Sequence, residues 1–297
     1  MLYSTRDGNV LEDVAQNFND LQGYDFRVIG AVEVGMRYFD WVPVEEIPKY
    51  SRLPKDEVNY RLKRVLKFKM VQRKTTHYTG FKLTFTGYDA LAVNTLVKRN
   101  AISALGSRIG VGKESDIYGA KRDERVVAVK LHREGLTFKH VKRARGHLFD
   151  RDRYSWLLVS KLAAEREFRA LNELYPTVSV PEPIDYNRHI LVMGLVNGID
   201  LVKVDLKDPE YVLDLIFIQI KSAYEQKIIH SDLSEYNVMI TADGTVTIID
   251  WPQYVYVSHP NSKELLTRDV NNILSFFRRK FGIRRSFENV LSYITTA

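Results

Sequence analysis

An acid and an amide stand five positions apart in His230-Ser231-Asp232-Leu233-Ser234-Glu235-Tyr236-Asn237, directly after the apolar pair Ile228-Ile229. Asp232 can accept a hydroxyl proton or orient a nucleophile, and Asn237 can offer its amide oxygen to a hard cation. His230 is expected to be buried and to position the loop by hydrogen bonding. Further on, the apolar run Val246-Thr247-Ile248-Ile249 ends in Asp250, 13 residues after Asn237. A hairpin can therefore return a second oxygen ligand beside Asn237. An amide and a carboxylate together suit magnesium, which prefers such oxygens and those of phosphates.

Three more groups lie upstream in an order that suits phosphate chemistry. Gly110-Val111-Gly112-Lys113-Glu114-Ser115 opens a β-prone stretch, where glycines let backbone N–H groups approach phosphate oxygens. On its own, such a pair of glycines also makes an ordinary hairpin. A Walker A loop does not fit, because Lys113 is followed by Glu114 rather than Ser or Thr. Val126-Val127-Ala128-Val129-Lys130 is an apolar strand ending in an ammonium, which is costly to bury unless paired. Its place after the glycine loop suits a lysine that reaches the α- and β-phosphates of ATP. A helix from about Trp156 to Leu174 offers the lysine a carboxylate partner. Glu167 borders the inward face made by Leu162, Phe168 and Leu171, and Glu165 points further away. Glycine loop, strand lysine, helix carboxylate, H-x-D-x-x-x-x-N and a terminal acid follow the order of the protein-kinase signatures, with Ser115 in place of the third glycine.

These groups need elements to carry them. Leu11, Val14, Phe18 and Leu21 share a helical face, and Val28, Ile29, Val32, Met36 and Phe39 form a second apolar set. Pro54 before Lys55-Asp56-Glu57-Val58 reads as a helix start with acids in its first turn. Met70 to Lys74 and Gly80 to Phe85 read as two strands around turn residues. Helix, turn, helix and hairpin is the order of a winged helix. A helix is expected over 87–105, then strands at Asp116 to Ala120 and Val126 to Lys130. Short strands (Ile190 to Met193, Val238 to Ile240, Val246 to Ile249) then alternate with helices over Pro209 to Gln226 and Ser262 to Lys280. The expected fold is α+β: an N-terminal winged helix followed by a bilobal protein-kinase-like domain with a small β-rich N-lobe and a mostly helical C-lobe. The expected boundaries are 1–82 for the winged helix, 83–105 for a linker helix, 106–195 for the N-lobe and 196–297 for the C-lobe.

Together these residues resemble the Rio family of atypical protein kinases, in the subfamily with an N-terminal winged helix. Gly110 to Tyr118 looks like that family's phosphate loop, His230 to Asn237 like its catalytic loop, and Ile249-Asp250-Trp251-Pro252-Gln253 like its metal loop. The resemblance implies that Gly110, Gly112, Lys113 and Ser115 meet the triphosphate, that Lys130 holds phosphates and pairs with Glu167, and that Asn237 and Asp250 bind magnesium or manganese. It implies that Met193 backs the adenine pocket, with backbone groups of Gly194 and Val196 at the adenine edge. The basic stretch 133–153 would be the family's mobile insertion. An ATP-dependent serine/threonine kinase or ATPase of late small-ribosomal-subunit maturation is implied, with autophosphorylation and an aspartyl-phosphate at Asp250. Its partners would be the pre-small subunit and its ribosomal RNA, with a protein acceptor that includes the chain itself.

Departures from ordinary kinases point the same way. Trp251-Pro252 stands in place of Phe-Gly, no A-P-E follows, and Ser231 replaces the arginine of the catalytic loop. Little chain is left for a peptide platform, so ATP hydrolysis or self-phosphorylation is favoured over broad protein phosphorylation.

The bulk numbers bound these expectations. The chain has 297 residues with 45% hydrophobic and 27% charged content, as in ordinary soluble proteins. It has no cysteine, which excludes disulfides, thiolate zinc sites and cysteine nucleophiles. No apolar run reaches the roughly 18 to 20 residues of a membrane span, and the first residues lack a signal-peptide pattern, so a cytoplasmic protein without a membrane partner is expected. The net charge of +7 permits a polyanionic partner. Lys49 to Lys82 holds eleven basic residues against two acids. Arg61, Arg64, Lys67, Arg73 and Lys74 there are candidate phosphate contacts on a recognition-type helix and wing. A winged-helix nucleic-acid binder with an ATP-sensing kinase-like part is the alternative from another class. A small-molecule kinase of the aminoglycoside type would share the catalytic loop but not call for the winged helix.

Overall fold

A computed structural model describes residues 10–112, 115–133 and 155–296. Lys113 and the stretch 134–153 of the expected insertion lie outside the described residues. By its internal contacts the chain divides into two compact units. The first comprises Met1–Arg125, Lys130–Lys161 and Asn187–Ile190, and the second Val126–Val129, Leu162–Tyr186 and Leu191–Ala297.

The first unit opens with helices α1 (Val10–Phe18) and α2 (Gly23–Gly35), strand β1 (Val42–Pro43), and helices α3 (Ile47–Ser51) and α4 (Lys55–Lys67). Strands β2 (Val71–Thr75) and β3 (Thr79–Leu83) and helix α5 (Phe85–Lys98) follow. The three strands form an antiparallel sheet in the order β1-β3-β2, with Val42 opposite Phe81 and Val71 opposite Leu83. Helices α3 and α4 pack on α2, and the β2–β3 hairpin is the wing. Asp56 and Glu57 sit in the first turn of α4 and Arg64 and Lys67 in its last, each sign matched to the helix dipole. Of the expected apolar set, Val28, Ile29, Val32 and Met36 are buried and Phe39 is half-buried, and Val58, Leu62, Val65, Phe81 and Leu83 add to the core.

Thr84 caps α5 by accepting the Gly87 N–H at 3.1 Å, while its hydroxyl reaches back to the Lys69 and Met70 carbonyls. The helix was expected to reach residue 105 but ends at Lys98, because Asn100 turns left-handed at φ 56°. Strand β4 (Ala104–Val111) begins where helix was expected, and pairs with β5 (Ser115–Arg122). Next come β6 (Arg125–His132), helix α6 (Ser155–Leu174), β7 (Pro183–Asn187) and β8 (Ile190–Gly194). The five strands are ordered β4-β5-β6-β8-β7.

The second unit continues with β9 (Gly198–Asp200), helix α7 (Pro209–Glu225), β10 (Ile228–Ile229), β11 (Val238–Thr241), β12 (Val246–Ile248), β13 (Val255–Tyr256) and helices α8 (Ser262–Phe281) and α9 (Phe287–Thr295). Asp208 caps α7 by accepting the Tyr211 N–H at 3.0 Å, with Pro209 at the first helical position. Left-handed Gly282 ends α8, after Arg278, Arg279 and Lys280 in its last turn. Two small sheets, β12-β11-β9 and β10-β13, lie beside these helices.

Candidate active site

In the first unit, Gly110 lies in β4 opposite Ile117. The Gly112 N–H donates to the Ser115 carbonyl at 2.7 Å. That N–H is therefore spent within the chain. Lys130 lies near the end of β6, only 3% exposed, between the buried Val129 and Leu131.

In the second unit the catalytic-loop residues and the acid after β12 come together through backbone pairing. Strand β11 pairs with β12 so that Val238 faces Ile248, and the Ile249 N–H donates to the Asn237 carbonyl at 3.0 Å. Asp250 is thereby delivered next to Asn237, as the hairpin reading expects. The Asn237 Nδ2–H donates to the Asp232 carbonyl at 2.9 Å. With its nitrogen held there, the amide presents its Oδ1 on the other side, which is the donor type a magnesium ion takes. Asp250 has φ 71° and Ser231 φ 63°, a left-handed pair bracketing the site.

His230 is buried and sits 4.5 Å, centroid to centroid, from Trp251. It links the two loops: Nε2–H donates to the Ile249 carbonyl at 3.0 Å and Nδ1 accepts the Asp232 N–H at 3.3 Å. Acceptance at Nδ1 requires the neutral ring, and burial pushes its pKa below the ordinary value. Trp251 is buried too and donates its indole N–H to the Ile248 carbonyl at 3.0 Å. On α6, Glu167 is 1% exposed, and its Oε1 accepts the Trp251 N–H at 3.3 Å. Its neighbour Arg166 donates to the Pro252 carbonyl at 3.0 Å and the Tyr254 carbonyl at 2.6 Å.

The loop backbone is anchored from below by α8. Asp269 accepts the Ser231 N–H at 2.7 Å and the Leu233 N–H at 3.0 Å. Burial raises its pKa against the pull of those bonds. Arg268 donates to the Ser231 carbonyl, and Asn272 to that of Leu233 at 2.9 Å. Sequence reasoning did not single out Asp269, Arg268, Asn272 or Arg166. The one available signal was Asp269 itself, a charge on the apolar face made by Leu266, Val270, Ile273 and Phe277.

Met193 is buried at the end of β8. The Gly194 N–H donates to the Glu182 carbonyl at 2.8 Å, so any purine contact by Gly194 falls to its carbonyl. Val196 follows in the connection to β9.

The basic candidates divide. Arg61 is 9% exposed, and its guanidinium donates to Glu57 at 2.6 Å and Gln22 at 2.5 Å, with Asp25 at 3.4 Å. Arg64 donates to the Asp20 carbonyl at 2.7 Å and to Asp25 at 3.3 Å. Asp25 is itself buried and accepts the Gln22 N–H at 2.9 Å. Arg61, buried, and Arg64, half-buried, therefore hold α4 on α2, and their guanidinium groups are engaged within the chain. Lys67, Arg73 and Lys74 are exposed, as are Lys63 and Lys69. Lys74 and Lys82 both lie within 6 Å of the Trp41 ring centroid, at 5.6 Å and 5.9 Å.

Comparisons with known proteins agree with this architecture. The profile described as RIO domain matches residues 116–290, and the one described as Rio2, N-terminal matches residues 18–99. A RIO-type serine/threonine-protein kinase Rio2 from Methanocaldococcus jannaschii is 43% identical over 88% of this chain and 100% of its own length. The serine/threonine-protein kinase rio2 of Dictyostelium discoideum is 42% identical over 87% of this chain, which spans 50% of that relative. Among solved structures, a Rio2 kinase-ADP/Mg2+-phosphoaspartate complex from Chaetomium thermophilum superposes with a TM-score of 0.81 at 34% identity, covering 93% of this chain and 87% of the other.

Proposed function

The chain belongs to the RIO kinase family, in its Rio2 branch, and on that premise we propose that it is an ATP- and magnesium-dependent serine/threonine kinase with ATPase activity that acts in small-ribosomal-subunit maturation. The observation that carries the catalytic part is the Asn237 amide. Its nitrogen is held by the Asp232 carbonyl, and the Asn237 backbone carbonyl takes the Ile249 N–H, so the chain enters Asp250 beside Asn237, which supports pairing the amide oxygen with the Asp250 carboxylate.

An amide oxygen and a carboxylate are the oxygen ligands that would hold a magnesium ion here. Bound there, the metal supplies charge neutralisation of the phosphates. We assign Asn237 and Asp250 to hold it, and Lys130, with Glu167 as its carboxylate partner, to the phosphates. Gly110, Gly112, Lys113 and Ser115 line the phosphate loop, and Met193, Gly194 and Val196 form the purine edge. Asp232 orients the attacking hydroxyl or water and takes its proton. Where the chain is its own acceptor, the γ-phosphoryl passes to an Asp250 carboxylate oxygen as the bond to ADP breaks. The Chaetomium neighbour, described as a phosphoaspartate complex, supports that acceptor. The exposed Lys67, Arg73 and Lys74 suit ribosomal RNA phosphates, and no helix among the described residues is long and apolar enough to cross a membrane.

The test is magnesium-dependent ATP turnover of the wild type against Asp232→Ala, with ADP affinity measured beside it. Turnover is expected to fall by roughly 10²-fold or more while ADP still binds. Equal turnover would overturn the assignment. Mass spectrometry after incubation with ATP and magnesium, with and without hydroxylamine, separates acyl-phosphate on Asp250 from phosphoserine.

A further inference from the structure

One side chain near Asp232 takes no part in the chemistry assigned so far. Gln253 lies three residues after Asp250 and directs its amide at the Asp232 carboxylate, Nε2 to Oδ2, at 3.2 Å. A carboxylate only accepts hydrogen bonds, so the amide must present its N–H end. Gln253 is itself exposed, and an exposed amide reaches one partner consistently only where its backbone is held. Here it is held on three sides. The Ser231 hydroxyl donates to the Gln253 carbonyl, and Arg166 grips the carbonyls on either side, those of Pro252 and Tyr254. Arg166 also stacks on the Tyr254 ring, 5.1 Å from its centroid. Ser231 in turn is fixed by Asp269 and Arg268.

We propose that Gln253 is a positioning residue for Asp232, set in place by the Ser231 hydroxyl and the Arg166 clamp, and that this tether orients Asp232 without any phosphorylated activation segment. Ser231 occupies the place of the arginine found in ordinary kinase catalytic loops. Such an arginine is suited to meeting a phosphate from a long activation loop. In this chain the hydroxyl at the same position donates to a backbone carbonyl of the segment that follows Asp250. Gln253 acts on Asp232 rather than on the reacting atoms. Its loss therefore lowers the fraction of turnovers that start from the productive geometry and leaves nucleotide affinity alone.

The proposal rests on the assignment of Asp232 as the group that orients the nucleophile, and the experiment separates the two. ATP turnover with magnesium is measured for the wild type, Asp232→Ala, Gln253→Ala, Gln253→Glu, Ser231→Ala and the Ser231→Ala/Gln253→Ala double variant, with ADP affinity and thermal unfolding for each. Gln253→Ala is expected to lower kcat by about 10-fold with KM for ATP and ADP affinity unchanged, in line with the cost of small misplacements. Gln253→Glu keeps the shape but points an oxygen at a carboxylate, so it is expected to be at least as damaging as Gln253→Ala. Ser231→Ala is expected to reproduce the kcat loss, and the double variant to lose no more than the worse single one.

A Gln253→Glu protein that works like the wild type would show that the side chain merely fills space, and the proposal would be overturned. Losses that multiply in the double variant would overturn the tether. If Asp232→Ala is inactive while every Gln253 variant turns over normally, this inference alone fails. If Asp232→Ala equals the wild type, both fail.

Discussion

At the scale of single residues, the candidate site is a set of backbone groups held still by a few buried side chains. Asp269 shows the logic. Its two oxygens take the N–H groups of Ser231 and Leu233, which flank Asp232, and no other residue type of that size accepts both. An asparagine accepts one and turns an NH2 against the other. Asp269→Asn is therefore expected to destabilise the protein by about 1–3 kcal/mol, the cost of one buried unsatisfied donor. Urea unfolding reads that loss, and ATP turnover should fall with it; unchanged stability would remove Asp269 from the anchoring role. His230 follows the same pattern, with one ring nitrogen on each loop. Apart from the local bond between His230 and the Asp232 N–H, these links join residues 19 to 38 positions apart. That is why the acid, the amide, the second acid and the neighbouring His230 were legible as a motif, while Asp269, far along the chain, was not.

At the scale of elements, α5 is fastened by a buried charge cluster. Asp89 on that helix is fully buried and pairs with Arg133 at 2.8 Å. It also accepts the Nε2–H of His189, from the β7–β8 turn, at 2.7 Å. His189 stacks on Tyr88 with ring centroids 4.6 Å apart. Asp89→Ala leaves the Arg133 charge buried and unpaired, for an expected loss of about 3–5 kcal/mol; replacing both by apolar residues of similar size should recover most of it. Equal losses in the single and double variants would show that packing, not charge, is at stake.

Burial also pushes the His189 pKa down to about 4, against the opposing pull of Asp89. Its Nδ1 has no partner among the described residues, so a proton there would be unsatisfied as well. Despite the short contact with Asp89, we take His189 as neutral in the folded chain. The unfolded chain then binds the extra proton between the usual 6.5 and about 4, so stability is full above that window and falls as pH drops through it. The Asp89 carboxyl, which burial raises but Arg133 and His189 bring down below its usual value, gives the same sign. The drop from His189 is on the order of 3 kcal/mol at most. His189→Gln should shrink the difference between unfolding at pH 7 and pH 4.5; an unchanged difference would assign the acid sensitivity elsewhere.

At the scale of the whole molecule, the net charge of +7 is unevenly placed. The run from Lys49 to Lys82 is densely basic, yet Arg61 and Arg64 in it are consumed by Asp25 and Glu57. The exposed remainder on the end of α4 and on the wing is the part that suits the RNA phosphates proposed above. Lys67→Glu/Arg73→Glu/Lys74→Glu is expected to weaken RNA binding and to reduce its salt slope by roughly one for each phosphate no longer neutralised. Arg64→Glu should instead lower stability. Filter binding across salt concentrations checks the first expectation and thermal unfolding the second; an unchanged slope would retire the wing as an RNA surface.

What the sequence determined by itself was local. An apolar set marked α2 and a proline with first-turn acids marked α4, helices were expected where α7 and α8 lie, the H-x-D-x-x-x-x-N spacing marked a candidate catalytic loop, and a hairpin was expected to return Asp250 beside Asn237, because each of these depends on neighbours a few residues away. The tertiary structure decided which charges are spent. Arg61 and Lys67 read alike along the chain, but the first turns inward to Asp25 and the second outward to water. Asp89 meets Arg133 and His189, 44 and 100 positions away, only because folding brings them together. A charge's role follows from whether burial supplies it with an opposite partner, and burial is a property of chain segments brought together only by folding.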